Sequence, residues 1–153
     1  MRLIEVPHAD TLRLDHVVLD LNGTLTNRGR LLEGVQERIR RLQADLNLHL
    51  VTADTHGTAD DIGSALGLPV TIIENGEDKR AFVERLGAGT TAAIGNGRND
   101  VAMFRLARLA IAIVGPEGAS AEAVAAADVL CVSITDALDL LLDDRALGAT
   151  LRP

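Results

Sequence analysis

Short apolar runs alternate with amphipathic stretches from His16 onward, and this alternation constrains the fold more than any other feature of the chain. Residues 16–21 (HVVLDL), 46–51, 69–73, 90–94, 110–114 and 129–132 are short, apolar and bounded by turn residues, which reads as buried strands. Between them lie helical stretches at 31–45, 58–66, 78–86, 100–109, 120–127 and 136–142. In the first of these Leu32, Val35, Ile39 and Leu42 recur at helical spacing, and Gly87 is a stop signal for the third. Strands and helices in strict alternation imply an α/β fold, a three-layer doubly wound parallel sheet. The 153 residues suffice for one core, so residues 1–153 are expected to form a single domain. Residues 1–14 stand outside the alternation and are expected to add a strand or hairpin, with residues 146–153 as a tail.

In such a sheet, ligands bind beyond the carboxyl ends of the strands. The residues just after the apolar runs are therefore the ones to examine. Asp20 leaves the first buried strand in Asp20-Leu21-Asn22-Gly23-Thr24, where a carboxylate is costly unless stabilised. Gly23 permits a tight turn that aims backbone N–H groups at a ligand. An Asn-Gly turn without further purpose would look the same. Thr52 follows the second strand; a threonine there also serves as a helix cap. Gly95-Asn96-Gly97-Arg98-Asn99-Asp100 follows the fourth strand, a glycine-rich loop with polar oxygens suited to phosphate or a hard cation.

Lys79 is the only lysine in the chain, against fourteen arginines. A sequence that otherwise uses arginine everywhere has kept one compact ammonium, which suits a point-charge site better than a planar fork does. A solvated lysine in the acidic stretch 74–78 is the plainer explanation.

Composition excludes several functions. The net charge is −7, against a nucleic-acid or anionic-membrane surface. Aromatics are limited to Phe82 and Phe104, so base-stacking platforms are not expected. Cys131 has no partner cysteine, no apolar run reaches the length of a membrane span, and no signal peptide is evident, so a cytoplasmic protein is expected.

Asp-x-x-Gly-Thr after strand one, Thr after strand two, Lys opening a later helix and Gly-x-Gly-x-Asn-Asp after strand four together resemble the haloacid-dehalogenase superfamily over residues 15–132. The stretches LNGTLT and GNGRND are similar to the cytosolic domain of P-type ATPases and to the stand-alone soluble P-type ATPases. The resemblance implies a phosphoryl-transfer site. Asp20 would be the nucleophile, forming an aspartyl-phosphate. Gly23, Thr24, Thr52, Ala53, Lys79 and Asn99 would surround the phosphoryl group, with Lys79 neutralising it and Asn99 steadying its loop. Mg²⁺ would be held by Asp20, the backbone carbonyl of Asn22, Asp100 and the amide of Asn96.

Two positions depart from the family pattern. Asn22 stands where phosphatases carry the acid/base aspartate, and an amide cannot transfer that proton. Asn96 stands where the family has a metal-binding aspartate. Both precede glycine, a context prone to deamidation. The expected activity is Mg²⁺-dependent phosphohydrolysis or phosphotransfer of low turnover on a small phosphorylated molecule; the alternative is a non-catalytic phosphate-binding or regulatory module. Thirty-two positions separate Asp20 from Thr52 and 27 separate Thr52 from Lys79, each filled by one helix and one strand, so no cap domain and no nucleotide-binding domain fits. ATP is accordingly not expected as the substrate. An uncapped site is open to water; a homo-oligomer is expected to cover it, with residues 1–14 and the tail from Ala146 as candidate interfaces.

Overall fold

The computed structural model describes residues 1–153. The strands and helices appear in the order β1 (Arg2–Ile4), β2 (Leu12–Leu14), β3 (His16–Leu19), β4 (Thr26–Asn27), β5 (Arg30–Leu31), α1 (Val35–Leu42), β6 (Asn47–Thr52), α2 (Ala59–Leu66), β7 (Val70–Ile72), α3 (Gly76–Leu86), β8 (Thr91–Gly95), α4 (Val101–Leu106), β9 (Leu109–Ile113), α5 (Ala121–Ala126), β10 (Val129–Cys131), α6 (Ile134–Leu142) and α7 (Asp144–Thr150). Six of the strands form one sheet in the order β10-β9-β8-β3-β6-β7, and every pairing in it is parallel. The chain runs outward from β3 through β6 to β7, then returns to the other side of β3 with β8. That reversal makes the carboxyl end of β3 a topological switch point.

Alternate residues of each central strand enter separate cores. Val17, Leu19, Ile94, Ile111 and Ile113 join a cluster with residues of α1, α2, α6 and α7. Val18, Ala93, Ala110 and Ala112 face the other way, against α3, α4 and α5. All five residues of β8 and of β9 are buried, as a parallel sheet covered on both faces requires. The architecture is the three-layer α/β sheet expected from the alternation. No helix is long and apolar enough to cross a membrane.

Several boundaries differ from the sequence reading. The first helix starts at Val35, not at 31, because Arg30–Leu31 pairs with Thr26–Asn27 in a small antiparallel hairpin and Gly34 turns through a φ of 81°. The third starts at Gly76 rather than 78: Asn75 accepts from the Glu77 and Asp78 N–H groups, and Asp78 returns a bond to the Asn75 N–H. The fourth is a 3₁₀ turn, Arg98–Asp100, followed by the short α4.

Residues 146–153 are not a loose tail. Most of them belong to α7, capped by the Asp143 side chain, with Leu147 fully buried. This helix packs on β1, where Arg2 pairs with Asp144 at 2.6 Å. Hairpin β1–β2 lies at the amino ends of the sheet strands: Asp15 N–H donates to the Thr90 carbonyl and the N-terminal ammonium to that of Asp45. Both proposed interface elements are therefore at the far end of the strands from Asp20.

Candidate active site

Asp20 follows β3 directly, its N–H still held by the Ile94 carbonyl of β8 at 2.9 Å. Its side chain is 7% exposed. Lys79 reaches it from the first turn of α3 and is itself fully buried. The Lys79 Nζ donates to Asp20 Oδ1 at 2.6 Å and to Asp100 Oδ1 at 2.6 Å, so one ammonium bridges the ends of β3 and β8. The Thr24 hydroxyl donates to Asp20 Oδ2 at 3.0 Å and lies 3.3 Å from Asn96 Oδ1.

Asp100 Oδ2 accepts from the N–H groups of Asn96 at 3.0 Å and Gly97 at 2.9 Å. The carboxylate thus folds back over its own loop. A Cβ on Gly95 would collide with it, which explains glycine at the end of β8. Gly23 meets a similar constraint, with a φ of 77° and the Asn96 amide against its α-carbon. Asn96 Nδ2 donates to the Gly118 carbonyl at 3.0 Å. The Asn96 side chain therefore ties together the loops after β3, β8 and β9.

The buried group carries two carboxylates and one ammonium. Burial pushes the Asp20 carboxyl up from 3.8 to about 6, with the Asp100 charge adding to the rise; Lys79 and Thr24 oppose it only in part. For Lys79, burial works against the charged form, but Asp20 and Asp100 override it and hold the ammonium above the ordinary lysine value.

Asp20, Gly23, Thr24, Lys79, Asn96 and Asp100 are brought together. The remaining sequence-derived candidates are not joined to them by side-chain hydrogen bonds. The Thr52 hydroxyl is buried at the end of β6, the strand beside β3, but accepts from the Asp54 N–H at 3.0 Å. Ala53 is exposed next to it. Asn99 is exposed, and its backbone, rather than its amide, packs against Gly76 of α3. Asn22 is half-buried, and its Oδ1 is buried without any donor.

Sequence reasoning missed Asp54 and Gly118. Asp54 has a φ of 53° and caps α2 through the Ala59 N–H at 2.9 Å. Its place five residues before Ala59, in a run of small polar residues, was the available signal. The Gly-Pro-Glu-Gly run at 115–118 signals a turn, but not that its last carbonyl serves Asn96.

The residues present fit a divalent magnesium ion. Two buried carboxylates face a single ammonium, leaving excess negative charge. Magnesium is commonly held by one or two carboxylates, with water and phosphate oxygens completing the shell.

No family model matches the chain. Over 60 residues the chain is 45% identical to the uncharacterized protein MJ0073 of Methanocaldococcus jannaschii, covering 39% of this chain and 64% of that protein. The chain thus spans less than two thirds of that relative. Over 39 residues it is 41% identical to the uncharacterized protein MJ0072 of the same organism, covering 26% of this chain and 89% of that one. Among solved structures it resembles the cobalt-bound deoxy-D-mannose-octulosonate 8-phosphate phosphatase of Haemophilus influenzae, with a TM-score of 0.70, 17% identity, and coverage of 89% of this chain and 91% of that one. The 3-deoxy-D-manno-octulosonate 8-phosphate phosphatase of Moraxella catarrhalis, in complex with magnesium, phosphate and KDO, gives 0.69 at 17% identity, covering 86% and 87%. An apo phosphoserine phosphatase gives 0.65 at 16% identity, covering 85% and 98%. The chain thus shares the fold of these solved phosphatases, with an aspartate at the switch point of the sheet and no domain inserted between the loops that carry the candidate site.

Proposed function

We propose that the protein is a haloacid-dehalogenase-type phosphohydrolase or phosphotransferase that works through an aspartyl-phosphate on Asp20. The observation that carries this reading is the fully buried Lys79 ammonium, 2.6 Å from both Asp20 and Asp100. A buried lysine shared by two carboxylates is poor evidence for stability, since an apolar replacement often serves the fold as well. It is well suited to neutralising a phosphoryl group.

Asp20 Oδ2 faces Thr24 and Oδ1 faces Lys79, so both oxygens are held in place. On attack, a carboxylate oxygen bonds to phosphorus and the ester oxygen leaves with the former bonding pair. Lys79 stays against the group as charge moves onto its oxygens. Positioning and charge neutralisation account for most of the catalysis in such transfers. Mg²⁺, held by Asp20, Asp100 and the backbone carbonyl of Asn22, would supply additional charge compensation. The amide of Asn96 is already engaged by Thr24 and Gly118, so its part is to hold the loops.

Breakdown of the aspartyl-phosphate requires water and a base. Asn22 offers no titratable proton, and general acid–base help is worth roughly 10²–10⁴ in rate. The protein is therefore a slow hydrolase whose phosphoenzyme accumulates. A small phosphorylated metabolite is the substrate class, as the names of the phosphatases that share the fold suggest. A homo-oligomer would shield the open site only through surfaces other than hairpin β1–β2 and α7, and the single cysteine fits the reducing cytoplasm. A second reading, a phosphate-binding module without turnover, is favoured by the same asparagine.

Mass spectrometry after mixing the protein with Mg²⁺ and acetyl phosphate tests the proposal. A phosphoryl adduct on Asp20, stable in acid, labile to hydroxylamine and absent from Asp20→Asn, is expected. If no adduct forms and the Asn22→Asp, Asn96→Asp double variant gains nothing, the binding-module reading prevails.

A further inference from the structure

We propose that Asn22 is a self-modifying position: in the folded protein its side-chain amide is lost spontaneously to a carboxyl, ahead of the two other Asn-Gly sites. Asn22-Gly23, Asn75-Gly76 and Asn96-Gly97 are the three such sequences in the chain, and all three flank the loops that carry the site. In each, the glycine amide nitrogen can attack the asparagine Cγ. The new N–C bond closes a succinimide and ammonia leaves with Nδ2. Water then adds to a ring carbonyl and breaks one C–N bond, giving aspartate or isoaspartate. The net change is amide plus water to carboxylate plus ammonium. No enzyme and no oxidant is required.

The three sites are chemically alike, so what distinguishes them is how the fold holds the reacting groups. The Asn75 amide is fixed as a helix cap, its Oδ1 taken by the Glu77 N–H at 2.9 Å and the Asp78 N–H at 3.2 Å. Asn96 is held at both ends of its amide, by Thr24 and by Gly118, and the attacking Gly97 N–H is held by the Asp100 carboxylate at 2.9 Å. Asn22 differs in its side chain, which is partly buried but makes no hydrogen bond through Oδ1. The Gly23 N–H is held only by a 3.2 Å bond to the Thr26 carbonyl across the same turn. A side chain that need break no hydrogen bond through Oδ1, beside a weakly held glycine nitrogen, has the lowest cost of rotating into attack. The other two must first give up two or three hydrogen bonds.

The consequence for activity rests on the hydrolase reading above; the selectivity does not. A carboxyl at position 22 would give the site the proton-transfer group its sequence lacks. Only the aspartate product keeps the backbone of the turn. The isoaspartate product inserts a carbon between Asn22 and Gly23 and displaces Thr24.

The test is to incubate fresh folded protein at neutral pH and 37 °C, sample over weeks, and follow the amide-to-acid mass gain in the three tryptic peptides, 14–28, 42–79 and 86–98. Electron-transfer fragmentation separates aspartate from isoaspartate, and urea-unfolded protein is the reference for intrinsic rates. The expected result is that Asn22 converts several-fold faster than Asn75 and Asn96 in the folded protein, while the three rates converge in urea. Equal rates in the folded protein, or conversion led by Asn75 or Asn96, would overturn the proposal. Freshly made Asn22→Asp protein is assayed separately for phosphatase activity. Failure of that variant to exceed the wild type would count against the hydrolase reading and leave the deamidation result unaffected.

Discussion

Replacing Asp20 by asparagine should stabilise the metal-free protein at neutral pH while abolishing its chemistry. The substitution is the neutral isostere of the protonated acid. Its amide oxygen can still accept from Lys79, and its NH₂ can donate to the Thr24 hydroxyl, which is free to turn toward Asn96. The change therefore removes mainly the cost of a buried charge. A carboxyl raised from 3.8 to about 6 on folding costs the folded state on the order of 3 kcal/mol when ionised. The sign follows from the direction of the shift: the contribution of Asp20 is fully favourable below 3.8 and is lost as the pH rises through about 6. Variant and wild type should match at about pH 3.5 and separate up to about pH 7, beyond which the gap is constant. For a domain of this size each kcal/mol moves Tm by roughly 2–4 °C, so the plateau is about 6–12 °C in favour of the variant. Circular dichroism melts in EDTA across this range are the assay, since the chain has no Trp or Tyr for intrinsic fluorescence. Millimolar Mg²⁺ should raise the wild type and leave the variant unmoved. A variant less stable than the wild type at neutral pH would refute the reasoning. It would mean that the pairing with Lys79 outweighs the burial of Asp20.

Lys79→Arg keeps the charge but not the compact shape, and should weaken inorganic phosphate binding in calorimetry by about tenfold or more, or ~1.4 kcal/mol; unchanged affinity would remove Lys79 from the phosphate site. Gly95→Ala places a methyl against the Asp100 carboxylate and should cost about 1–3 kcal/mol in urea unfolding, with loss of the Asp20 adduct. Asn96→Asp removes the donor to the Gly118 carbonyl and adds a third carboxylate near the site, so it should destabilise the metal-free protein by about 1–3 kcal/mol. Mg²⁺ should recover part of that loss, visible as a larger metal-induced rise in Tm than in the wild type.

The sheet and most of its helices were legible because each strand is a short apolar run and each helix shows its own period. The hairpin β4–β5 was not, because its strands are two residues long and Leu31 and Leu32 continue the helical pattern of α1. Helix α7 escaped because only Leu147 among its long side chains is fully buried; a single apolar residue carries no period. In the site, Lys79 could be singled out by its uniqueness and Asp20 by its place after a strand. That the same ammonium serves Asp100 was not readable, since the three residues meet only through tertiary packing. Asn96 could be singled out as a metal-ligand candidate by its place in the glycine-rich loop; that its amide also links three loops was not readable, since one of its partners is a backbone carbonyl that no side-chain pattern reveals.

The two faces of the sheet should respond to mutation in opposite ways. On one, Leu and Ile side chains interdigitate with α1, α2 and α6, so truncation leaves cavities. On the other, Ala93, Ala110 and Ala112 are all fully buried beneath α3, α4 and α5, where any enlargement must push a helix outward. Helix α3 carries Lys79, whose reach to Asp20 leaves no slack at 2.6 Å. The alanines of the sheet thus act as a spacer that sets how far the ammonium extends. Substitutions in the exposed loops around Ala53 and Asn99 are accordingly accommodated without moving α3, while those alanines, which never touch the site, tolerate no enlargement.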